Sequence, residues 1–206
     1  MKKKVLVVDL DKTLFSINTF HHFIKYLTFK SIKEVNVLFL FKLGLALSSR
    51  LFLTHAKMKF YVLNIIKDRT DIDFNHFVNT ISTKKRELSI LQDSSFDIKI
   101  LATAAPSCYA NIIAKNNSFH ICLGTDFSNS TFKSSFENSK ITKKENVMDY
   151  LSKSNINHID VMVTDSIDDM PLIKLAKRNV IVNPSENFKK QLKQKSISFE
   201  VIQQRS

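Results

Sequence analysis

The sequence predicts an α/β protein: a doubly wound parallel sheet with an α-helical block inserted after its first strand. Short apolar runs alternate with helical patterns in the second half of the chain, as in parallel sheets covered by helices. By contrast, residues 16–93 show helical periodicity and no convincing strand. We therefore assign residues 1–15 and 94–206 to the α/β core and residues 16–93 to a helical domain.

The individual elements follow from local patterns. The first strand is predicted at residues 4–8, because Val5–Val8 is a consecutive apolar run of the kind buried in parallel sheets. A late helix is predicted to begin after Ser185, a residue type that caps helix N-termini. The remaining strands are predicted at 98–102, 120–123, 158–163, 179–182 and 197–201, and the remaining core helices at 106–115, 142–152, 168–176 and 185–194.

One segment of the helical block, Val35–Leu53, is apolar nearly all round and is interrupted in its middle by Lys42. Its uninterrupted pieces are shorter than the roughly 20 residues that a membrane-spanning helix needs. Two interpretations stay open. The segment is either a buried helix of a small bundle, or an exposed apolar surface that faces a membrane or a lipid-like substrate.

The composition restricts the function classes. Only 2 glycines are present, so the glycine-rich phosphate loops of P-loop and dinucleotide-binding proteins are absent. The net charge of +12 favours anionic partners: phosphorylated small-molecule substrates, nucleic acid or an acidic membrane surface. The apolar segment 35–53 leaves room for a lipid-linked phosphate as the substrate. The basic residues show no aromatic-and-basic motif of a nucleic-acid reader, so no specific nucleic-acid partner is expected.

The cysteines and the N-terminus predict a cytoplasmic protein. Cys108 and Cys122 lack metal-ligand spacing, and we expect both to be buried, reduced thiols. The apolar run that follows the N-terminal lysines is ended by Asp9 after four residues, which is too short for an export signal.

The most informative residues are two aspartates at the end of the first predicted strand, Asp9 and Asp11. Ligand sites of open α/β sheets lie at the carboxyl ends of strands. Because side chains alternate along a strand, these two carboxylates would point to the same side. Two like charges at close range require a neutralising partner, and a divalent cation is the usual one. The pattern therefore predicts a metal-assisted carboxylate site.

Further reactive groups follow other predicted strands or precede predicted helices. Thr103 ends the strand at 98–102, and an acidic cluster that includes Asp165 and Asp169 follows the strand at 158–163. Lys140, Lys143 and Lys144 surround the start of the helix at 142–152. In a doubly wound sheet these positions converge on one rim.

In these residues the sequence resembles the haloacid dehalogenase superfamily. The run Asp9-Leu10-Asp11-Lys12-Thr13 looks like its first motif, Asp-x-Asp-x-Thr, and Thr103 looks like its second. One of the lysines near 144 looks like the third motif, and the run from Asp165 to Asp169 looks like the fourth. The resemblance covers most of the chain and implies a Rossmann-like core.

The resemblance implies a role for each residue. Asp9 would be the nucleophile that forms an aspartyl-phosphate, and Asp11 the general acid and then the general base. Thr103 and the motif lysine would bind the phosphoryl group, and the lysine would also neutralise charge on Asp9. The metal would be Mg²⁺, bound by Asp9, Asp11 and Asp165, with Asp169 supporting it from outside the coordination sphere.

The choice of lysine rests on helical spacing. Lys144 stands three, four and seven residues before Val147, Met148 and Leu151, which predicts one helix face, so we choose Lys144 over Lys143, with Lys140 third. Two positions depart from the family pattern. Lys12 and Thr164 stand where glycine is frequent, and we expect altered loop geometry there, without loss of activity.

The insertion resembles the helical cap of the phosphoserine-phosphatase-like branch, which implies closure over the site and choice of substrate. The function implied is a Mg²⁺-dependent phosphatase that hydrolyses a small phosphomonoester. The second aspartate, Asp11, is typical of phosphatases and phosphomutases. Two alternatives stay open: a phosphotransferase or phosphomutase of the same superfamily, or a basic binding module for an anionic membrane or nucleic acid.

Overall fold

A computed structural model describes residues 3–127 and 131–204, and within them the chain forms a six-stranded, wholly parallel sheet. The predicted α/β class is confirmed. The strands are β1 (Val5–Val8), β2 (Ile98–Pro106), β3 (Ile121–Thr125), β4 (Ile159–Thr164), β5 (Ala176–Val182) and β6 (Glu200–Ile202).

The strand order is β3-β2-β1-β4-β5-β6, which makes β1 a central strand. The chain runs outward from β1 through β2 to β3, returns to β4 on the other side of β1, and continues outward to β6. The order therefore reverses between β1 and β4, and this switch point is where open α/β sheets bind ligands.

The helices occupy two parts of the chain. Four lie between β1 and β2 and are called the inserted helices below: α1 (Thr19–Lys33), α2 (Val37–Ser48), α3 (His55–Ile66) and α4 (Phe74–Ile81). Each begins behind an Asn, Thr or Asp whose side chain accepts a main-chain N–H of the first turn. The others are α5 (Ser107–Asn116), α6 (Lys140–Ser152), α7 (Met170–Ile173) and α8 (Glu186–Gln194).

The sheet is buried on both faces, as the continuous apolar run of β1 predicts. Leu6 and Val8 join a core that includes the inserted helices, whereas Val5 and Val7 join the core beneath α6 and α8. The inserted helices thus share one continuous apolar core with a sheet face. The division into two domains at residues 15/16 and 93/94 stays a prediction.

The helix predicted at 168–176 is wrong in length, because the structure has only the four residues of α7 there. A 3-10 turn at Ile167–Asp169 precedes it, and β5 begins at Ala176, which pairs with Ile159 of β4. No helix of the described residues is long and apolar enough to cross a membrane. Both cysteines are free and partly buried, and burial raises the pKa of each thiol to about 12.

Candidate active site

The predicted site residues, with one exception, surround a single cavity of about 260 Å³ at the switch point of the sheet. Its walls come from the ends of β1 and β2, the loop after β4, the start of α6 and the inserted helices. The sequence-predicted residues that line it are Asp9, Asp11, Thr103, Asp165 and Asp169. The exception is Lys144, whose place is taken by Lys143.

The centre of the site is an ion-pair network on Lys143. Its ammonium nitrogen Nζ lies 2.8 Å from Asp9 Oδ1 and 2.6 Å from Asp169 Oδ1. All three side chains are buried, with exposed fractions of 8% or less. A buried ammonium between two buried carboxylates is held in position by both of them.

The choice of Lys144 was wrong because the buried face of α6 differs from the one that spacing predicted. Lys143, Val147 and Leu151 are the buried residues of this helix, spaced four residues apart, whereas Met148 is only partly buried. The face that points toward the sheet therefore begins one residue earlier, at Lys143. Lys144 lies beside this face and does not line the cavity.

The network raises the pKa values of both Asp9 and Lys143, for different reasons. Burial is the main cause that raises the pKa of Asp9 to about 8, with Lys143 opposing the rise and Asp169 and Asp165 adding to it. Burial would lower the pKa of Lys143, but the Asp169 and Asp9 carboxylates outweigh it and hold that pKa above its usual value. The lysine therefore stays charged.

Thr13 joins the first and fourth motifs and was not predicted as a site residue. Its fully buried hydroxyl lies 3.3 Å from Asp9 Oδ2 and 3.1 Å from Asp165 Oδ1. The same oxygen accepts the main-chain N–H of Asp165 at 2.9 Å. Thr13 is part of the Asp-x-Asp-x-Thr pattern, so the motif itself was the signal that could have identified it.

Asp11 is oriented by the first residue of α1. Its Oδ1 accepts hydrogen bonds from the main-chain N–H of Thr19 at 2.7 Å and from the Thr19 hydroxyl at 2.6 Å. The Thr19 hydroxyl also lies 3.1 Å from the hydroxyl of Tyr109, which is fully buried. The inserted helices therefore fix a carboxylate of the first motif.

Thr103 is buried near the end of β2, and its hydroxyl accepts the main-chain N–H of Ala105 at 3.0 Å. Asn138, another residue that the sequence did not single out, donates from its amide nitrogen to the carbonyls of Thr103 at 3.0 Å and Leu123 at 2.6 Å. Asn138 thus connects the segment before α6 to the ends of β2 and β3. This contact keeps Lys143 and Thr103 at the same edge of the sheet.

The inserted helices supply the remaining wall. Lys59 of α3 is nearly buried, donates to the Ala104 carbonyl at 2.8 Å and forms an ion pair with Glu137. His55, also of α3, places its Nδ1 3.6 Å from the same Glu137 carboxylate. Lys59, Glu137 and His55 all line the cavity. Sequence spacing did not identify these three residues, because the residues they contact are distant in the sequence.

The donors of the site suit a hard cation. Lys143 pairs with Asp9 and Asp169, which leaves Asp165 as a further carboxylate outside this ion pair, and burial raises the pKa of Asp165 to about 6. Across residues 3–127 and 131–204, no three His, Cys, Asp or Glu side chains form a ready metal cluster. Mg²⁺ needs fewer, because it retains several waters. Asp9 and Asp165, which both contact the Thr13 hydroxyl, could hold it together with the Asp11 carbonyl.

Lys12 and Thr164, the two positions where the sequence pattern often has glycine, differ in backbone conformation. Lys12 has a φ of 58°, in the left-handed region that glycine adopts without strain. Its carbonyl accepts from the Arg86 guanidinium at 3.2 Å. Thr164, by contrast, is not at a positive φ, and its hydroxyl donates to Asp169 Oδ2 at 2.6 Å. Both oxygens of Asp169 therefore contact protein donors.

The sequence and the structure were compared with those of known proteins. The sequence matches no protein-family model and no curated protein. A solved protein of unknown function from Bordetella pertussis Tohama I has a TM-score of 0.76 at 15% identity, over 98% of this chain and 99% of its own.

Two further solved structures with a similar fold are described as enzymes. A phosphoserine phosphatase, described as a phospho-aspartyl intermediate analogue, has a TM-score of 0.63 at 14% identity, over 100% of this chain and 96% of its own. A HAD family hydrolase from Salmonella enterica subsp. enterica serovar Typhi has a TM-score of 0.57 at 10% identity, over 92% of this chain and 66% of its own. Identities this low establish the fold alone. The chain therefore shares its fold with these phosphoserine phosphatase and HAD family hydrolase structures.

Proposed function

We propose that this protein is a Mg²⁺-dependent phosphatase that hydrolyses a small phosphomonoester through an aspartyl-phosphate on Asp9. The observation that carries the proposal is the position of Asp9. Its carboxylate is buried at the switch point of the sheet, paired with Lys143 and adjacent to Asp165 through Thr13. A similar solved structure is named as a phospho-aspartyl intermediate analogue of phosphoserine phosphatase, which supports the same reaction class.

In the first step, a carboxylate oxygen of Asp9 attacks phosphorus and the bond between phosphorus and the ester oxygen breaks. Asp11 donates a proton to the departing oxygen, so that an alcohol leaves. Thr19 holds Asp11 Oδ1 with two hydrogen bonds, which leaves Oδ2 as the oxygen that carries the proton.

In the second step, a water molecule attacks the phosphorus of the aspartyl-phosphate while Asp11 accepts a proton from that water. The bond between phosphorus and Asp9 breaks, inorganic phosphate leaves, and Asp9 is regenerated as a carboxylate. Asp11 is protonated again by this step, ready for the next substrate. The inserted helices, through His55 and Lys59, narrow the cavity and limit the entry of other water.

Positive charge at the site offsets the charge of the phosphoryl group. Lys143 contacts Asp9 and stays protonated. Its ammonium would therefore also stabilise the negative charge on the oxygens of the phosphoryl group. The Thr103 hydroxyl, near the end of β2, would donate a hydrogen bond to a phosphoryl oxygen. Mg²⁺, when bound by Asp9, Asp165 and the Asp11 carbonyl, would neutralise further phosphoryl charge.

The cavity limits the substrate class. Its volume of about 260 Å³ fits a phosphoryl group with a small organic residue. The cavity is also lined by Lys59, His55 and Glu137, which favours a polar leaving group able to form hydrogen bonds.

The test is phosphate release from a panel of small phosphomonoesters, with Mg²⁺ or with EDTA. We expect turnover that requires Mg²⁺ and falls at least 1,000-fold in Asp9→Asn. Asp149→Asn is the matched control, because Asp149 is an exposed carboxylate of α6 that does not line the cavity. Equal phosphate release by wild type and Asp9→Asn would exclude this mechanism. Recovery of a phosphorylated acceptor, with no free phosphate, would identify a phosphotransferase instead.

A further inference from the structure

The inserted helices carry a cluster of large apolar side chains that nothing in the described protein covers. We call it the α1–α2 apolar surface. Its members are exposed by between 56% and 86%, far more than surface apolar residues that only border a core. They are Phe29, Ile32, Val35, Val37, Leu38, Phe41, Leu45, Leu51 and Phe52.

Helix α2 shows most clearly that this surface is not part of the core. Its buried residues are Phe39, Leu43 and Ala46, which form one stripe against the neighbouring helices. A helix on a protein surface normally has polar residues opposite such a stripe. In α2, the opposite side is also apolar, except for Lys42 and the terminal Ser48. The structure therefore combines both interpretations of segment 35–53: part is bundle core and part is exposed.

The turns at the ends of α2 hold apolar residues outward. Val35 is 77% exposed and has a φ of 52°, a conformation that is strained for a β-branched residue. After α2, the Arg50 guanidinium donates to the Leu53 carbonyl at 3.2 Å, and the main-chain N–H of Leu53 donates to the Ser49 carbonyl at 2.8 Å. This ordered turn holds Phe52, which is 86% exposed, out from the protein.

The segment that carries this surface is basic. Residues 19–66 contain seven lysines and arginines and one acidic residue, Glu34. Glu34 is paired with Lys30, which also lies 3.5 Å from Asp71. Lys33, Lys42 and Arg50 are exposed among the apolar side chains. Lysines that extend from an apolar helix face toward water are typical of helices lying in the interface of an anionic bilayer. Each such cation adds attraction to anionic headgroups.

A groove of about 660 Å³ between α2 and α3 opens beside the same surface. It is lined on one wall by Leu45 and Lys42 and on the other by Tyr61 and Asp68, among others. A partner protein fits this setting less well, because the cores of protein interfaces are depleted in lysine. In a symmetric dimer, Lys42 would also approach its own copy, which is unfavourable.

We propose that the α1–α2 apolar surface docks on an anionic lipid bilayer. Helix α2 would lie in the plane of the interface, since its 12 residues are too few to cross. Its apolar side chains would enter the region between headgroups and acyl chains, and Lys33, Lys42 and Arg50 would contact lipid phosphates. Phe52 lies three residues before His55, which lines the cavity, so docking would hold the cavity close to the lipid surface.

The experiment is flotation with vesicles of phosphatidylcholine, with or without 30% phosphatidylglycerol. We expect at least tenfold stronger binding to the anionic vesicles, weakened as salt is raised. The variant Leu38→Ser/Phe41→Ser/Leu45→Ser should lose at least tenfold in binding. Lys42→Glu should also weaken binding, and as a single exposed substitution it leaves the core unchanged. The matched control is Leu175→Ser/Val201→Ser, which changes exposed apolar residues elsewhere.

Four results would overturn the proposal: no binding of wild type to anionic vesicles, equal binding by the triple variant, a stable dimer that the triple variant dissociates, or loss of vesicle binding in Asp9→Asn. Asp9→Asn should bind vesicles as wild type does, because docking does not depend on the proposed catalysis. If Asp9→Asn alone abolished vesicle binding, the active site would be holding a lipid-linked substrate and the docking surface would be excluded.

Discussion

At the scale of single residues, Lys143 determines the electrostatics of the site. It is the ammonium within contact of both Asp9 and Asp169, and Asp169 is in turn held by the Thr164 hydroxyl. Removing one partner from a buried charge network leaves the others uncompensated, which costs more than an exposed ion pair contributes. The neighbouring Lys144 has no such partner in the cavity and provides a natural comparison.

We expect Lys143→Met to lower kcat by roughly 100- to 1,000-fold, because both the charge on Asp9 and the charge on the phosphoryl group lose their buried cation. Lys144→Met should stay within about twofold of wild type, as expected for a residue outside the cavity. Steady-state hydrolysis of the best phosphomonoester from the panel measures both. The assignment of Lys143 fails if the two variants lose activity equally.

A second residue-scale prediction concerns strain at Lys12. Its φ of 58° costs a residue with a Cβ roughly 1–2 kcal/mol, and glycine avoids this cost. Glycine also makes the unfolded chain more flexible, which cancels part of the gain in stability. Lys12→Gly should therefore raise the free energy of unfolding by up to about 1 kcal/mol. Lys12→Ala keeps the Cβ and should give no gain. Urea denaturation measures both, and equal stability of the two variants would contradict the strain argument.

The motif residues could be predicted from sequence, whereas their supporting contacts could not. Asp9, Asp11, Thr103, Asp165 and Asp169 are each placed by the end of a strand, and the sheet brings these ends together. The choice of lysine was wrong because a helix face was estimated from Met148, which turned out to be only partly buried. The supporting contacts of Asn138, Lys59 and Glu137 join residues distant in sequence, and no local periodicity records such contacts.

At the scale of elements, α3 is connected to the sheet by a charged contact. Lys59 reaches the Ala104 carbonyl beside Thr103 and pairs with Glu137 ahead of α6. Burial would raise the pKa of Glu137, but the contacts with His55 and Lys59 outweigh it and lower that pKa to about 2. The contact therefore stabilises the arrangement of inserted helices and sheet only while Glu137 is ionised.

The pH dependence of stability tests this contact. Because the folded state lowers the pKa of Glu137 from 4.5 to about 2, its contribution is fully present above pH 4.5 and is lost as the pH falls toward 2. We expect Glu137→Gln to destabilise the protein by about 2–4 kcal/mol at pH 7, since Lys59 is left buried without its partner. By pH 3, the difference from wild type should shrink by more than half.

Denaturant titration at the two pH values gives this difference. Glu186→Gln is the control, because Glu186 is fully exposed and pairs only with Lys189 of the same helix. That variant should match wild type at both pH values. A Glu137→Gln deficit of equal size at pH 3 and pH 7 would show that lost packing, and not charge, is responsible.

Element types were predictable where apolar periodicity is strong, and less so where an element is exposed. The sequence of α2 could not decide between burial and exposure, because its apolar residues surround the helix. Only packing shows that Phe39, Leu43 and Ala46 face inward while Phe41 is exposed. The short α7 was overestimated for a related reason: the strand β5 pairs from Ala176 onward, and this pairing overrides local helix propensity.

At the scale of the whole molecule, the net charge of +12 and the acidic site act over different distances. The overall positive field attracts a phosphorylated substrate or an anionic surface. It opposes a free cation only weakly, because screening at physiological salt limits such forces to about 8 Å. Within that distance, the local excess of carboxylates around Asp9 and Asp165 dominates. Binding of Mg²⁺ should therefore stabilise the whole fold despite the basic chain.

We expect Mg²⁺ to raise the Tm of wild type. A ligand at 100 times its Kd adds about 2.7 kcal/mol to the free energy of unfolding, which for a chain of this size is roughly 5–10 °C. Asp165→Asn should abolish this shift, because it removes a ligand oxygen. In EDTA the same variant should melt no lower than wild type, since it also removes one of the carboxylates that repel Asp9.

Thermal melts in EDTA and in a Mg²⁺ series distinguish these cases. Asp149→Asn is the matched control, since Asp149 has an exposed carboxylate outside the cavity and should keep the full shift. If both variants keep the Mg²⁺ shift, the ion binds elsewhere. If Mg²⁺ does not shift the melting temperature of wild type, a proton on Asp9 neutralises the site instead of the cation. The raised pKa of Asp9, about 8, is consistent with such a proton. In that case the melting temperature in EDTA should fall as the pH rises from 3.8 to about 8 and level off above it, because in that range the folded state holds a proton that the unfolded state has released.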